Sequence, residues 1–298
     1  MTEQELCNLF YAGKTKNTII SYKREIENFL AAVCKKSYAS VTKDDVKKYY
    51  DNLITQMNNG TKKRATVIRI LRTLHKFYNL GIENNVFSEN WFNHFKVPKQ
   101  DVGYVKEDRI FTLDELERFL TCAKNSGTRD YLIVLLFITS RFSVLEVKNI
   151  CWGNLIIDAL GHYGAEVKSK AGKRRIIPIR KDVFELFIQY RSELGLPPQI
   201  DREKEANNPI FLNRYGQPLS ETGVRKIVYK LCEEAEVKHI SPKDLFHMCM
   251  ILGRIHGATD SQLVDQAGFS DVKFLEKYKY ALRILQEPAC NFIQLPKH

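Results

Sequence analysis

Long apolar runs are missing from this chain of 298 residues. The longest, Tyr131 to Ile138, is eight residues, whereas a helix needs roughly 20 to cross a bilayer. The opening MTEQELCNLF lacks the basic-then-apolar layout of a secretory leader, so neither export nor membrane insertion is expected. The seven cysteines, Cys7, Cys34, Cys122, Cys151, Cys232, Cys249 and Cys290, are odd in number and scattered. No pair has C-x-x-C spacing, so the expectation is free thiols in a reducing cytoplasm, with no metal and no cofactor. Nine Pro and 15 Gly are too few for a collagen-like or low-complexity chain, and no internal repeat is evident.

An acidic excess is absent too. Lys plus Arg number 46 against 35 Asp plus Glu, a net charge of +11. Residues 1–100 hold 17 Lys/Arg and nine Asp/Glu, so about +8 of the excess sits in the first third. Such a surface suits nucleic acid, because each phosphate contact releases a counterion. No segment joins a basic face to a Trp/Phe/Leu-rich one, which argues against an anionic membrane as partner.

Periodicity then gives the elements. Ile19, Tyr22, Ile26, Phe29 and Leu30 form one apolar face of a helix over 18–33. Thr42 and Asp45 have the spacing of a capping box ahead of a second helix. A third is expected over 65–80 and a shorter one over 89–95. Residues 97–108, VPKQDVGYVKED, combine Pro, Gly and mixed charge without a period, which marks a linker. Thr112 with Glu115 opens the next unit. Three short strands are expected over 153–157, 164–168 and 175–179, with the basic turn KSKAGKRR between the last two. Helices are expected over about 181–193, 220–234, 243–256, 260–267 and 271–280.

In that order stand NTIISYKREIENFL, TVIRILRTLHKFYNLGI, RIFTLDELERFL, LLFITSRFSVLEVKNICWGNL, VKSKAGKRRIIPI, PIFLNRYGQPLSETGVRKIV and SPKDLFHMCMILGRIHGATDSQLVDQAGFSDVKFLEKYKY. The series resembles the tyrosine recombinase, or phage integrase, family of Xer-like proteins over about residues 14–282. The resemblance implies a mainly α fold with a small antiparallel β-sheet. A helical, SAM-like core-binding domain would span 1–98, a linker 99–108, and a catalytic-type domain with a C-terminal tail 109–298. It also implies a clamp on duplex DNA. Active members cut one strand with a tyrosine through a 3′-phosphotyrosyl intermediate. An attacking phenolate needs cations to neutralise the transition state and an acid for the leaving oxygen.

Carried over by residue, the resemblance makes Tyr278 the nucleophile and Lys170 the general acid on the hairpin turn. The remaining positions depart from the pattern. Ser143 stands where the first arginine belongs. Lys243 and Phe246 stand where the H-x-x-R histidine and arginine belong, and Phe269 replaces a further histidine. Arg141 is near in sequence, but two residues along a helix is about 200° of rotation, so it is expected to point away. His247 and His256 read as ordinary helix residues. Loss of one preorganised donor costs about 10²- to 10³-fold, so strand cleavage is expected to be impaired. The favoured reading is a DNA-binding accessory or regulatory subunit, cytoplasmic and nucleoid-associated. It would bind through Lys62, Lys63, Arg64, Arg69 and Arg72 in the first domain and Lys168, Lys173, Arg174 and Arg175 beside Lys170 on the hairpin. The tail RILQEPACNFIQLPKH would mediate a homo-oligomer or a heteromer with an active recombinase. The alternatives are an active recombinase that substitutes Arg141, Lys243 and Arg254 for the lost groups, and a protein-interaction module.

Overall fold

The computed structural model describes residues 1–98, 107–168, 172, 174–268, 272–275 and 278. The chain forms two compact units, Met1–Gln100 and Asp101–His298. The linker expected over 99–108 lies almost wholly outside the described residues.

The first unit is four α-helices: α1 (Glu3–Tyr11), α2 (Lys16–Ala32), α3 (Lys43–Asn58) and α4 (Arg64–Glu83). The Thr42–Asp45 capping box forms as the spacing predicts. Helix α1 was not anticipated. It buries only Leu6 and Phe10, too few positions to show a period, and Thr2 and Glu5 make its capping box. The element expected over 89–95 is a 3-10 turn, Trp91–His94. Asn90 caps it, and the side-chain amide of Asn90 donates to Asn79 Oδ1 at 2.6 Å and to the His75 carbonyl at 3.0 Å. Aromatic rings fill the core, with Phe10 5.4 Å from Phe77 and Phe29 5.2 Å from Phe92 between centroids. Gly81 leaves room for Phe87, whose ring occupies the space a Cβ would take.

The second unit opens with α5 (Leu113–Asn125), held by the Thr112–Glu115 capping box. Next come α6 (Thr128–Thr139), buried continuously from Leu132 to Ile138, and α7 (Val144–Asn149). Strands β1 (Leu155–Ile157), β2 (Tyr163–Lys168) and β3 (Arg174–Pro178) form an antiparallel sheet in the order β1-β2-β3. Leu155 pairs with Ala165, and Val167 with Arg175. Four helices follow: α8 (Lys181–Glu193), α9 (Glu221–Glu234), α10 (Pro242–Ile255) and α11 (Asp260–Ala267). Of the helix expected over 271–280, the described part is a 3-10 turn at Val272–Leu275 and Tyr278.

Arg191 pins the long segment between α8 and α9. It is 2% exposed, binds both oxygens of Glu205 at 2.8 and 3.0 Å, and donates to the Gln199 and Pro197 carbonyls. Its guanidinium lies 4.9 Å from the Trp152 ring. Arg191→Ala leaves Glu205 without its charge partner and opens a cavity. A loss of about 3–5 kcal/mol is therefore expected in a denaturant melt.

Candidate functional site

The expected nucleophile comes to rest in a small apolar cluster. Tyr278 is 2% exposed and packs with Met250, Ile251, Leu263, Val264 and Leu275, between α10 and α11. Its hydroxyl is hydrogen-bonded to His247 Nδ1. Burial raises its pKa above the usual phenol value, with Arg141 acting in the opposite direction. The proton is thus held on the oxygen at neutral pH.

His247 was read as an ordinary helix residue, and the structure corrects this. It is one residue after Phe246 on α10 and faces Tyr278, 31 positions away. No local pattern in the sequence could announce a partner so distant.

Arg141 requires a second correction. A rotation of 200° would apply only if α6 continued through it, but α6 ends at Thr139, and Arg141 has a left-handed backbone with φ 58°. The break turns the side chain inward. Its guanidinium carbon lies 4.2 Å from the centroid of the Phe246 ring, a cation–π contact. Burial, then the neighbouring Arg175, lowers its pKa to about 10.

Ser143 has a different task. It is the N-cap of α7, accepting from the Glu146 backbone N–H at 3.3 Å, while Glu146 accepts from the Ser143 N–H at 2.7 Å. Glu146 is buried and also takes Arg175 in two hydrogen bonds of 3.0 and 3.1 Å. Arg174 binds Glu166 at 3.0 Å. Two of the hairpin cations are therefore already on carboxylates. Lys168 is exposed at the end of β2. Lys170, Lys173 and Phe269 lie outside the described residues. Lys243 is exposed at the start of α10, and Arg254 pairs with Asp260. Of the three substitutes Arg141, Lys243 and Arg254, Arg141 rests on the Phe246 ring and acts on the pKa of Tyr278.

In the first unit, α4 turns Arg64, Arg72 and His75 toward a groove of about 610 Å³ that Phe92, Phe95 and Lys96 also line. Sequence reading missed His75 and Lys96, which join the groove through the fold. Lys62 is half-buried and Lys63 exposed just before α4. Arg69 is about 140° round the helix from Arg64. It pairs instead with Glu25, a carboxylate only 4% exposed, and donates to Ser21 Oγ at 2.7 Å. A buried carboxylate needs such a partner, so Arg69 has a structural role on a face away from the groove.

Residues 109–282 match the phage integrase family. A tyrosine recombinase XerD from Listeria monocytogenes serovar 1/2a is 25% identical over 283 residues, 91% of this chain and 90% of that protein. A tyrosine recombinase XerC from Halalkalibacterium halodurans is 27% identical over 285 residues, 92% and 91% of the two chains. Among solved structures, a lambda integrase dimer bound to a COC′ core site superposes with a TM-score of 0.70 at 17% identity, covering 93% of each chain. The Tn1549 transposon integrase in complex with circular intermediate DNA gives 0.68 at 18% identity, covering 97% of this chain and 99% of that one.

Proposed function

The chain belongs to the phage integrase family, and from that premise we propose that it binds duplex DNA in site-specific recombination without cutting a strand by itself. It acts as an accessory or regulatory subunit at the nucleoid, in the cytoplasm. The observation that carries this reading is the placement of Tyr278, buried and hydrogen-bonded to His247, where burial pushes its phenol pKa up. The surrounding substitutions agree with it. Ser143 ends its side chain on the α7 backbone, and Phe246 offers a ring face where a second guanidinium is required for charge neutralisation.

Duplex DNA as the ligand is supported by the +11 charge and by the basic groove along α4. The lambda and Tn1549 integrases were themselves solved on DNA, the former as a dimer. Self-association, or pairing with an active recombinase through the tail after residue 282, belongs to the same reading; that tail lies outside the described residues. No described helix is long and apolar enough to cross a membrane.

The test is electrophoretic. The protein is incubated with duplex DNA in the absence of divalent metal over a salt series and then denatured. Binding that falls steeply with salt and leaves no covalent adduct supports the reading. Absence of salt-sensitive binding at about 50 mM salt overturns it and favours a protein-interaction module.

A further inference from the structure

Turn tips favour Gly, Asn, Asp and Ser, yet the tip of the β1–β2 hairpin presents Leu160, 82% exposed and the most open large apolar side chain among the described residues. The turn itself is built without that side chain. Asp158 Oδ1 accepts the backbone N–H groups of Leu160 and His162 at 2.9 and 2.8 Å, and Asp158 Oδ2 lies 2.8 Å from His162 Nδ1. Gly161 supplies the left-handed residue, with φ 83°. Leu160 is thus held out on a turn that is already ordered, which lowers the entropy lost on docking. Ile157, at the end of β1, is also exposed.

The same unit carries an apolar groove along α5 and α6. It has a volume of about 280 Å³ and is lined by Leu113, Leu116, Leu120 and Tyr131, with Glu117 and Lys124 at its edge. At roughly 30 Å³ per water-sized group it takes about nine of them, enough for the aliphatic carbons of Leu160 and Ile157 together. Leu113 is 71% exposed and Leu160 more so, hence the turn does not fill the groove of its own chain. The charges are complementary. Asp158 and His162 flank Leu160, so Asp158 can meet Lys124 while the His162 ring meets Glu117.

We propose that Leu160 of one copy seats in the α5–α6 groove of a second copy. Turn and groove are different surfaces of one chain, so the contact is head-to-tail and continues into a ring or an open chain. A single aliphatic anchor buries little area. The contact is therefore weak in solution and gains strength between copies brought close on one duplex. The proposal rests on the self-association part of the reading above and assigns it a surface other than the tail.

The experiment is sedimentation velocity on the full-length protein without DNA, over about 5–200 μM, the range of weak contacts. The average mass should rise with concentration. Leu160→Asp and Leu113→Glu change exposed side chains, so both should keep the unmodified circular dichroism and thermal midpoint. Each sets a charge against apolar surface and should weaken association about tenfold or more. A 1:1 mixture of the two should recover a dimer and nothing larger, because one intact Leu160 then meets one intact groove. Lys124→Glu, which places a like charge opposite Asp158, should weaken association about threefold. A monomer at every concentration, unchanged association in both single variants, or a mixture that stays monomeric overturns the proposal. So does loss of association in the tail variant Phe292→Glu while Leu160→Asp still associates, which gives the contact to the tail. Unmodified protein that self-associates as described but binds no duplex is a different result: it removes the DNA-binding reading and leaves this surface in place.

Discussion

Replacing Arg64, Arg72 and Lys96 together by Ala is expected to weaken duplex binding about 500-fold at 0.1 M salt. The three cations line one groove of the helical unit, two of them on one face of α4. Each released counterion contributes about 0.9 to the salt slope, so three flatten it by about 2.7. The loss should be nearly the same for every sequence, because phosphate contacts fix position and carry no base information. Arg69→Ala is the informative contrast. That guanidinium pairs with the buried Glu25, so its loss should lower the melting temperature of the protein and leave the salt slope where it was. A triple variant that binds like the unmodified protein would move the DNA surface away from α4. An Arg69→Ala variant that stays fully stable but binds weakly would restore Arg69 to it.

The contrast between Arg64 and Arg69 shows where sequence stops being legible. Features set by near neighbours in the chain were readable: the Thr42–Asp45 and Thr112–Glu115 capping boxes, the apolar stripes of α2 and α4, and the span of α11. Their physics operates over three or four residues, and so does the pattern that reveals it. Arg69 reads like its basic neighbours until α2 brings Glu25 against it. The same holds for His247, whose partner is 31 residues away, and for His75 and Lys96, which line one groove. Arg141 was misread for a different reason. Helical rotation was extended past the end of α6, and nothing local signals a left-handed arginine, a conformation that packing against Phe246 helps to hold. Ser143 was legible only as a missing charge. Its positive task as the N-cap of α7 is an ordinary serine property, visible once the helix start at Val144 is known.

The unmodified protein is expected to leave no protein-linked strand on a nicked suicide duplex carrying its preferred site. On the proposed reading, Ser143 and Phe246 replace two transition-state donors worth about 10²- to 10³-fold each, and although such losses are not additive the deficit should reach several orders of magnitude. Burial adds to it, since Tyr278 must first leave His247 and its apolar neighbours before it can attack in line. Tyr278→Phe should therefore leave DNA affinity within about twofold, while loss of the buried hydrogen bond lowers stability by about 1 kcal/mol. The structure also says why a simple restoration should fail. Arginine at 246 would remove the ring on which Arg141 rests and set a like charge beside it. Arginine at 143 would remove the α7 cap, about 1 kcal/mol. Any gain of cleavage is thus expected only when Ser143→Arg and Phe246→Arg are combined with Arg141→Gly, which clears the pocket and suits the left-handed turn. The contrary outcome is easy to read on a denaturing gel. A protease-sensitive adduct formed by the unmodified protein and abolished by Tyr278→Phe would establish an active recombinase. Arg141, a cation that lowers the Tyr278 pKa against the effect of burial, would then be the first group to test as a substitute for the arginine expected at 143.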